Sequence, residues 1–279
     1  MINTLRNTPG LFITGTDTDV GKTIIAAGLV IALRKQGLDC GYFKPVASGA
    51  VKTGAGLMSP DLRLILNTTG LMDPPPLMNP ICLVPPLAPL PAAEMTGVKW
   101  GWPEIARPYA LLQSYHDFLV VEGVGGVLVP LKKKFLVIDL IKRLDLPVLV
   151  VARPNLGTIN HTLLTLTVLK QHNVEVLGFL FNGQKDRPGL AEKTAPDIIR
   201  SFSGVPYWGS IPWDNKVSEE QFRLGSIPAR SGKLLADNFR NFLGQIRNPK
   251  STRLSLFDEL KALSVSKGSS QAEIRNKFK

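Results

Sequence analysis

Apolar segments of strand length recur along this chain, and each is followed by a glycine or proline turn and then by a helical pattern. This rhythm is typical of βαβ units around a parallel sheet. The predicted strands are Leu11–Thr14, Gly41–Pro45, Asp117–Val121, Pro147–Ala152, Val174–Phe181 and Pro206–Ile211. The pattern predicts a single α/β domain with a mostly parallel sheet and helices on both faces.

Two segments between these strands have distinct patterns. The segment Lys22–Gln36 is apolar nearly all round, which predicts a buried helix, and Gly37 is placed to cap its C-terminus. The segment Asp73–Pro91 contains eight prolines, so we expect a rigid, irregular connection rather than a helix or a central strand. We expect this connection to form a loop over the active-site edge of the sheet.

The composition is that of a globular protein, with 44% apolar and 20% charged residues among 279. Neither secretion nor membrane insertion is expected, because Met1–Pro9 lacks an apolar core and no apolar run approaches the ~18 residues that span a bilayer. Cys40 and Cys82 lie far apart without a CxxC pattern, which argues against disulfides and structural zinc and favours a cytoplasmic location. The net charge of +11 fits either nucleic acid or an anionic small substrate such as ATP.

The C-terminal part of the chain differs in character from the rest. We predict one folded domain over residues 1–238 and a basic extension, partly helical or disordered, over residues 239–279. A short helix is expected around Asp258–Leu260, and the composition of Ser264–Lys279 is typical of disorder. A second folded domain is not expected there.

A glycine-rich segment joins the first predicted strand to the first helix, which is the context of a phosphate-binding P-loop. Its residues are Gly15, Thr16, Asp17, Thr18, Asp19, Val20, Gly21, Lys22 and Thr23. Backbone N–H groups and the helix N-terminus can hold phosphate oxygens, Lys22 can neutralise them, and Thr23 can offer its hydroxyl to Mg²⁺. The spacing has one residue more than GxxxxGK[ST], so a glycine-rich turn without phosphate chemistry is the alternative.

Further polar residues follow other predicted strands. Lys44 ends the second strand with Ser48 in the loop behind it, although a lysine at a strand end is often simply solvated. Glu122 follows an apolar strand, as a Mg²⁺-binding Walker B carboxylate does, with helix capping as the alternative. For Asp61, after Ser59 and Pro60, the residues favour helix capping over a role as a Mg²⁺ ligand.

Two later segments add candidates for binding. Gly157 and Asn160 lie where a long helix begins, so the free N–H groups there form a second possible anion site. Asn182 carries an amide that can both donate and accept, which suits the edge of a base, whereas His161 is assigned to packing or capping. The carboxyl ends of the strands, where open α/β sheets bind ligands, precede Gly15, Lys44, Glu122, Gly157, Asn182 and Pro212.

The motifs GTDTDVGKT, KPVASG, VEGVGG, LGTINH, FNG and GSIPW occur in this order between residue 11 and about residue 215. Together they resemble the dethiobiotin synthetase family. The resemblance implies an ATP-dependent ligase that closes the ureido ring of dethiobiotin from 7,8-diaminopelargonic acid and CO2, releases ADP and phosphate, and acts as a homodimer. Neither a membrane nor nucleic acid is expected as a partner.

The resemblance also implies roles for individual residues. Lys22 and Lys44 would hold the phosphates and the substrate carbamate, with Thr18 and Ser48 also on the substrate. The implied Mg²⁺ ligands are Thr23, Asp61 and Glu122. The implied adenine contacts are Asn182, Pro212 and Trp213. Gly157 and Asn160 would reach across the dimer interface to the carboxylate of the partner's substrate.

Members of this family often carry a histidine where this chain has Leu90, so that part of the substrate wall differs.

Two other classes of protein share the expected fold. Amidating ligases of cobyrinate type usually append a glutaminase domain, which has no counterpart in this chain. Partitioning and division-site ATPases carry an additional lysine at the start of the P-loop, where this chain has Gly15-Thr16-Asp17. The sequence leaves the nucleotide preference open.

Overall fold

Strands and helices alternate along most of the computed structural model, which describes residues 10–54, 56–218 and 223–225. The strands are β1 (Gly10–Gly15), β2 (Cys40–Phe43), β3 (Val46–Ala47), β4 (Val51–Thr53), β5 (Gly56–Met58), β6 (Ile81–Cys82), β7 (Phe118–Gly126), β8 (Pro130–Lys132), β9 (Phe135–Leu136), β10 (Val148–Ala152), β11 (Val176–Gln184), β12 (Tyr207–Pro212), β13 (Val217–Ser218) and β14 (Arg223–Leu224). The helices are α1 (Lys22–Lys35), α2 (Pro60–Thr69), α3 (Pro75–Met78), α4 (Pro89–Thr96), α5 (Trp102–Tyr115), α6 (Val137–Leu144), α7 (Thr158–Gln171) and α8 (Leu190–Ser203).

The central sheet has the strand order β12-β11-β10-β1-β7-β2, and its neighbouring strands all pair in parallel. The six strands predicted from the apolar pattern are confirmed, with their ends shifted. The largest shift is at the end of β7, which was predicted at Val121 and lies at Gly126 because Gly126 still pairs with Gly15. Parallel pairing brings the carboxyl ends of all six strands to one edge of the sheet.

Both faces of the sheet are covered by helices, as the sequence predicts. Along β1, Leu11 and Ile13 pack with α1 and α2, whereas Phe12 between them packs with α5 to α8 on the other face. Because successive strand residues alternate between faces, Tyr42 on the α1 side places Lys44, two residues later, on that side too. The same alternation along β7 puts Glu122 on the side of α1.

Helix α1 is buried along nearly its whole length, in agreement with its apolar pattern. It ends at Lys35, and Gly37 follows with φ 83°. The N–H of Leu38 donates to the carbonyl of Leu33 at 3.2 Å, which is the longer hydrogen bond of a Schellman cap. The predicted role of Gly37 is confirmed.

The prediction that the proline-rich segment contains no helix is wrong. Helix α3 begins at Pro75 and helix α4 begins at Pro89, because the first turn of a helix needs no donor from the residues that proline replaces. Strand β6 lies between them and pairs in parallel with β3. The segment therefore contains ordered elements beside the residues that follow β2.

The described residues contain no helix with the length and apolarity required to cross a membrane. The predicted boundary at residue 238, the basic extension and its short helix all lie outside the described residues.

Candidate active site

The loop between β1 and α1 closes around the ammonium of Lys22. The N–H of Thr16 donates to the carbonyl of Val151 at 3.0 Å, which fixes the start of the loop against β10. At Gly15, an added Cβ would lie 2.8 Å from the carbonyl oxygen of Asp17 and 3.1 Å from Nζ of Lys22. A side chain at this position would fill the space that the loop encloses, which explains the glycine.

The second glycine of the loop is required by its conformation and by a neighbour. Gly21 precedes α1 with φ 88°, a left-handed conformation that favours glycine. A Cβ there would lie 2.0 Å from Nδ2 of Asn182, which donates to the carbonyl of Val20 at 3.0 Å. Asn182 at the end of β11 therefore braces the loop at its junction with the helix.

The ammonium of Lys22 is buried, and the hydrogen bond that holds it is to a backbone carbonyl. Its Nζ donates to the carbonyl of Asp17 at 2.9 Å, within its own loop. Burial, followed by repulsion from Lys44, lowers the pKa of Lys22 to about 8. A buried ammonium of this kind gains strongly from an anion, which is the chemistry of a phosphate loop.

Four side chains from different elements meet beside this loop: Thr23, Lys44, Asp61 and Glu122. The Lys44 ammonium lies 2.7 Å from Oε1 of Glu122 and 2.8 Å from Oδ2 of Asp61. The register explains the first contact, because Phe43 at the end of β2 pairs with Val121 of β7, and the residues that follow these two are Lys44 and Glu122. Helices α1 and α2 supply the other two side chains.

The hydroxyl of Thr23 faces more acceptors than it can satisfy. Its Oγ1 lies 2.9 Å from Oδ1 of Asp61 and 2.8 Å from Oε1 of Glu122, although it has one proton to donate. Two carboxylates and a hydroxyl form a set of hard oxygen donors that suits Mg²⁺. No group of three or more His, Cys, Asp or Glu that could hold a metal occurs among the described residues. Mg²⁺ needs fewer, because it usually takes one or two carboxylates together with waters and substrate phosphates.

The charges of this cluster stabilise one another. Burial by itself would lower the pKa of Lys44, but the carboxylates of Asp61 and Glu122 outweigh it and raise that pKa above its usual value. Burial would raise the pKa of Asp61, but Lys44 outweighs it, and the net pKa of Asp61 is lowered. Lys44 and Asp61 are therefore both charged near neutral pH.

Tyr42 is a member of the site that the sequence reasoning missed. Its hydroxyl, fully buried, donates to Oε2 of Glu122 at 2.7 Å, while Oε1 of the same carboxylate faces Lys44 and Thr23. Burial and the charge of Glu122 raise the pKa of Tyr42 well above its usual value, so it remains a donor. The signal was present in the spacing, because Tyr42 lies two residues before Lys44 in a predicted strand.

The helix-capping interpretation of Asp61 is wrong. The cap of α2 is Ser59, whose Oγ accepts from the N–H of Leu62 at 3.2 Å. Asp61 does lie in the first turn, but its carboxylate turns to Thr23 and Lys44. Both sequence alternatives put this residue at the helix start, and its side chain points to Thr23 and Lys44 rather than to the free N–H groups of the helix.

Ser48 lies half-buried behind β3, in the segment that leads away from Lys44. This segment runs beside the proline-rich segment, since the N–H of Ala50 donates to the carbonyl of Leu83 at 3.0 Å. Leu90, which replaces the family histidine, lies half-buried in the first turn of α4.

The far end of the P-loop faces the ends of β11 and β12. The side chain of Trp213 is exposed, and its backbone N–H donates to the carbonyl of Gln184 at 2.6 Å. Gly183 has φ 84°, and a Cβ there would lie 3.6 Å from the Trp213 ring. Asn182 and the Pro212–Trp213 turn are therefore neighbours, as the sequence predicts.

The start of α7 lies apart from the buried cluster. Gly157 precedes the helix with φ 94°, and Gly157 and Asn160 are exposed. A second residue that the sequence reasoning missed precedes this helix: Arg153, after β10, donates to the carbonyl of Thr18 at 2.6 Å and lies 3.9 Å from Asp17. It holds the exposed half of the P-loop, and its sequence neighbours gave no signal of that contact.

The chain matches the AAA domain family over residues 9–221, a range that contains every predicted site residue. An ATP-dependent dethiobiotin synthetase BioD from Bacillus licheniformis is 45% identical over 73% of this chain and 85% of its own. The proteins of that name from Thermodesulfovibrio yellowstonii and Methanocaldococcus jannaschii are 38% and 46% identical. They match 76% and 62% of this chain and 92% and 78% of their own lengths.

Solved structures share the fold at much lower identity. The MinC:MinD cell division protein complex of Aquifex aeolicus contains a chain with a TM-score of 0.57 and 13% identity, covering 89% of this chain and 98% of that one. MinD from Pyrococcus horikoshii, complexed with Mg-ADP, has a TM-score of 0.53 and 16% identity, covering 85% and 98%. The predicted P-loop NTPase fold is confirmed, and at these identities the likeness concerns the fold alone.

Proposed function

The chain belongs to the family of ATP-dependent dethiobiotin synthetases, and we propose that it closes the ureido ring of dethiobiotin from 7,8-diaminopelargonic acid, CO2 and ATP. It is an ATP-dependent ligase of biotin biosynthesis that forms carbon–nitrogen bonds. The observation that carries the proposal is the buried contact of Lys44 with Asp61 and Glu122 beside the P-loop. Such a site can hold a nucleotide and neutralise a transferring phosphoryl group.

The reaction requires little covalent chemistry from the protein. A carbamate of the substrate attacks the γ-phosphate of ATP, and the second amine then displaces phosphate from the mixed anhydride. Lys22 and Lys44 spread positive charge over the phosphoryl group during transfer. Ser48 binds the carbamate end of the substrate, and Thr18 also contacts the substrate. The rate gain comes from positioning two reactants and from fixed charges, so no nucleophilic side chain is needed.

Thr23, Asp61 and Glu122 would hold Mg²⁺, since their oxygen atoms converge on one place. The ion supplies charge neutralisation at the β- and γ-phosphates when it is bound. Tyr42 keeps the second oxygen of Glu122 engaged, so that Oε1 remains turned toward Thr23 and Lys44. The protein thereby fixes the carboxylate before any ligand arrives.

Asn182, Pro212 and Trp213 would hold the adenine. Their position at the ends of β11 and β12, next to the end of the P-loop, supports this role. The exposed ring of Trp213 is available to a base, and the amide oxygen of Asn182 can accept while its Nδ2 braces Val20.

We propose that the protein acts as a homodimer in which the start of α7 holds the carboxylate of the partner's substrate. Gly157 and Asn160 are exposed and lie at a helix N-terminus, which attracts anions. Leu156 and Leu164, next to and on this helix, are 88% and 58% exposed, so apolar surface is available there for a second protomer to cover.

We also propose a cytoplasmic location. The free thiols of Cys40 and Cys82 support a reducing, cytoplasmic compartment.

The experiment is an assay of dethiobiotin and phosphate formation with ATP, Mg²⁺, bicarbonate and diaminopelargonate. We expect both products in equal amounts, and no dethiobiotin when any one component is omitted. Phosphate release that is independent of diaminopelargonate and stimulated by DNA or lipid vesicles would instead indicate a partitioning-type ATPase. The same assay with ammonia and glutamine tests the amidating class.

A further inference from the structure

The segment that carries Lys44 and Ser48 leaves the central sheet after Phe43, and the proline-rich segment takes over its backbone hydrogen bonds. The N–H of Lys44 donates to the carbonyl of Met78 at 2.7 Å. Further along, the N–H of Leu83 donates to the carbonyl of Ala47 at 2.8 Å. The proline-rich segment thus serves as a partner strand for the residues that approach the substrate.

Asn79 is the point where this segment is tied to Lys44. Its side chain is 3% exposed, and Nδ2 donates to the carbonyl of Lys44 at 2.7 Å and to that of Ile81 at 3.4 Å. Its Oδ1 accepts from Oγ of Ser59 at 2.7 Å and from Sγ of Cys82 at 3.0 Å. Both donors and both lone pairs of the amide are engaged, which is the full capacity of an asparagine.

Ser59 links Asn79 to the start of the helix that carries Asp61, one of the two carboxylates that contact Lys44. Its hydroxyl caps α2 by accepting from Leu62, and it donates its proton to Asn79. Asp61 lies two residues later, in the first turn of the helix that Ser59 caps. One amide therefore holds the backbone of Lys44 on one side and the helix start that carries Asp61 on the other.

We propose that Asn79 is a positioning residue that sets the distance between Lys44 and Asp61, and through it the place of the transferring phosphoryl group. The inference rests on the proposed function, since it concerns the same site. Only an amide fits the position: an aspartate could not donate to the carbonyl of Lys44, and an apolar side chain would leave that carbonyl and the hydroxyl of Ser59 without the partner that Asn79 provides. Pro80, which follows Asn79 directly, restricts the backbone that presents the amide.

The test compares Asn79→Ala with Cys82→Ala as a matched control. Both variants remove hydrogen bonds of the Asn79 amide, but Cys82→Ala keeps the hydrogen bonds of Asn79 to Lys44 and Ser59. We expect Asn79→Ala to lower kcat by about tenfold to a hundredfold, because small displacements of a reacting group cost that much. The KM for ATP and the affinity for ADP should change by less than about threefold, since the P-loop is untouched. Cys82→Ala should keep the parent's kcat.

A second readout needs no activity. Acetylation of Lys44 by an amine-reactive reagent, measured by peptide mass spectrometry, reports how firmly that side chain is held, and Lys22 serves as the internal reference. We expect the ratio of Lys44 to Lys22 labelling to rise several-fold in Asn79→Ala and to stay unchanged in Cys82→Ala. This readout distinguishes the two proposals, because it decides on Asn79 even if the parent forms no dethiobiotin.

Ser59→Gly provides an independent variant if Asn79→Ala does not fold. Glycine is tolerated as a helix cap, yet it removes the donor to Asn79. The proposal predicts the same loss of kcat and the same labelling change. It is overturned if the folded variant keeps the parent's kcat and labelling ratio, or if Cys82→Ala loses as much as the variants that cut the link.

Discussion

Lys44 and Glu122 form a buried ion pair in which Nζ lies 2.7 Å from Oε1, with the side chains 3% and 1% exposed. The desolvation of such a pair offsets much of its Coulomb attraction, so the pair adds little net stability. Removal of one partner, however, leaves the other charge buried without compensation. The pair therefore makes the fold dependent on a residue that we propose to act in phosphoryl transfer.

The first prediction concerns this dependence. Lys44→Met should lower the free energy of unfolding by about 3–5 kcal/mol, because Glu122 then stays buried without its cation, and should lower kcat by about a thousandfold or more. Urea unfolding and steady-state kinetics measure the two effects. The double variant Lys44→Met/Glu122→Gln should recover part of the stability and none of the activity. A single variant as stable as the parent would contradict the buried-pair argument.

The second prediction uses two tyrosines that are both fully buried. Tyr42 donates to Glu122, whereas the hydroxyl of Tyr109 is buried without a hydrogen-bond partner in the described part of the chain. Tyr42→Phe should cost about 1–3 kcal/mol and lower kcat, because it leaves an oxygen of a buried carboxylate unpaired. Tyr109→Phe should be neutral or stabilising. Thermal unfolding and kcat check both, and equal losses would show that the hydroxyl of Tyr42 has no special role.

Most of the fold and the P-loop could be predicted because their signals are local. Unbroken apolar runs identified the six strands, and Gly15, Gly21 and Lys22 lie in one short segment. The role of prolines was misjudged where Pro75 and Pro89 begin helices, since the same residue breaks a helix inside and suits its first turn.

The missed residues all act through partners that are distant along the chain. Tyr42 reaches Glu122 across 80 positions, and Asn79 reaches Lys44 across 35. The alternation along the strand puts Tyr42 on the same face as Lys44, but no local pattern identifies Asn79 or the distant partner of either residue. Only the parallel pairing of β2 with β7 and of β3 with β6 brings the partners together.

The third prediction separates stability from activity at Lys22. Its folded-state pKa of about 8 lies below the usual 10.5, so burial of the charged form opposes folding at pH 7. Lys22→Met should raise the free energy of unfolding by about 1–3 kcal/mol at pH 7, while kcat falls by orders of magnitude. The stability gain should shrink as the pH rises from about 8 toward 10.5, where the lysine of the folded parent is neutral.

The control for this prediction is Lys35→Met, at the exposed end of the same helix, which should change stability by no more than about 0.5 kcal/mol. Chemical denaturation at a series of pH values measures both variants. A folded Lys22→Met with normal turnover would refute the P-loop assignment.

A histidine on the opposite edge of the sheet makes stability depend on pH. Nδ1 of His116 lies 2.9 Å from Asp39, and Nε2 lies 3.1 Å from Asp73, while Arg34 lies 3.3 Å from Asp39. Burial alone would lower the pKa of His116, but the hydrogen bonds to Asp73 and then Asp39 outweigh it and raise that pKa above 6.5. The protonated ring therefore links the start of β2 to the start of the proline-rich segment.

The fourth prediction follows from the sign of this shift. Because the folded-state pKa is raised, the stabilisation is complete below pH 6.5 and is lost as the pH rises through the folded-state pKa. As the pH rises from 6.5 through the folded-state pKa, the melting temperature of the parent should therefore fall more steeply than that of His116→Asn. Titration of the His116 ring by NMR should give a pKa above 6.5. An unperturbed or lowered pKa, or parallel melting curves for the two proteins, would be inconsistent with the bridge.

The last prediction tests the shared active site of the proposed dimer. Lys22→Ala damages the phosphate loop of a subunit, and Asn160→Asp damages the helix start that would hold the partner's substrate. The aspartate is chosen because its charge repels the substrate carboxylate and remains favourable near a helix N-terminus. Each variant alone should be nearly inactive.

In a mixed dimer, one of the two sites carries both defects and the other carries neither. Random reassortment makes half of the dimers mixed, so activity should return to about one quarter of the parent's value. Mixing Lys22→Ala with a Lys22→Ala/Asn160→Asp double variant is the control, because no site in that mixture has an intact phosphate loop. If subunit exchange is verified and the first mixture is no more active than this control, each site is complete within one chain, and the role proposed for Gly157 and Asn160 is wrong.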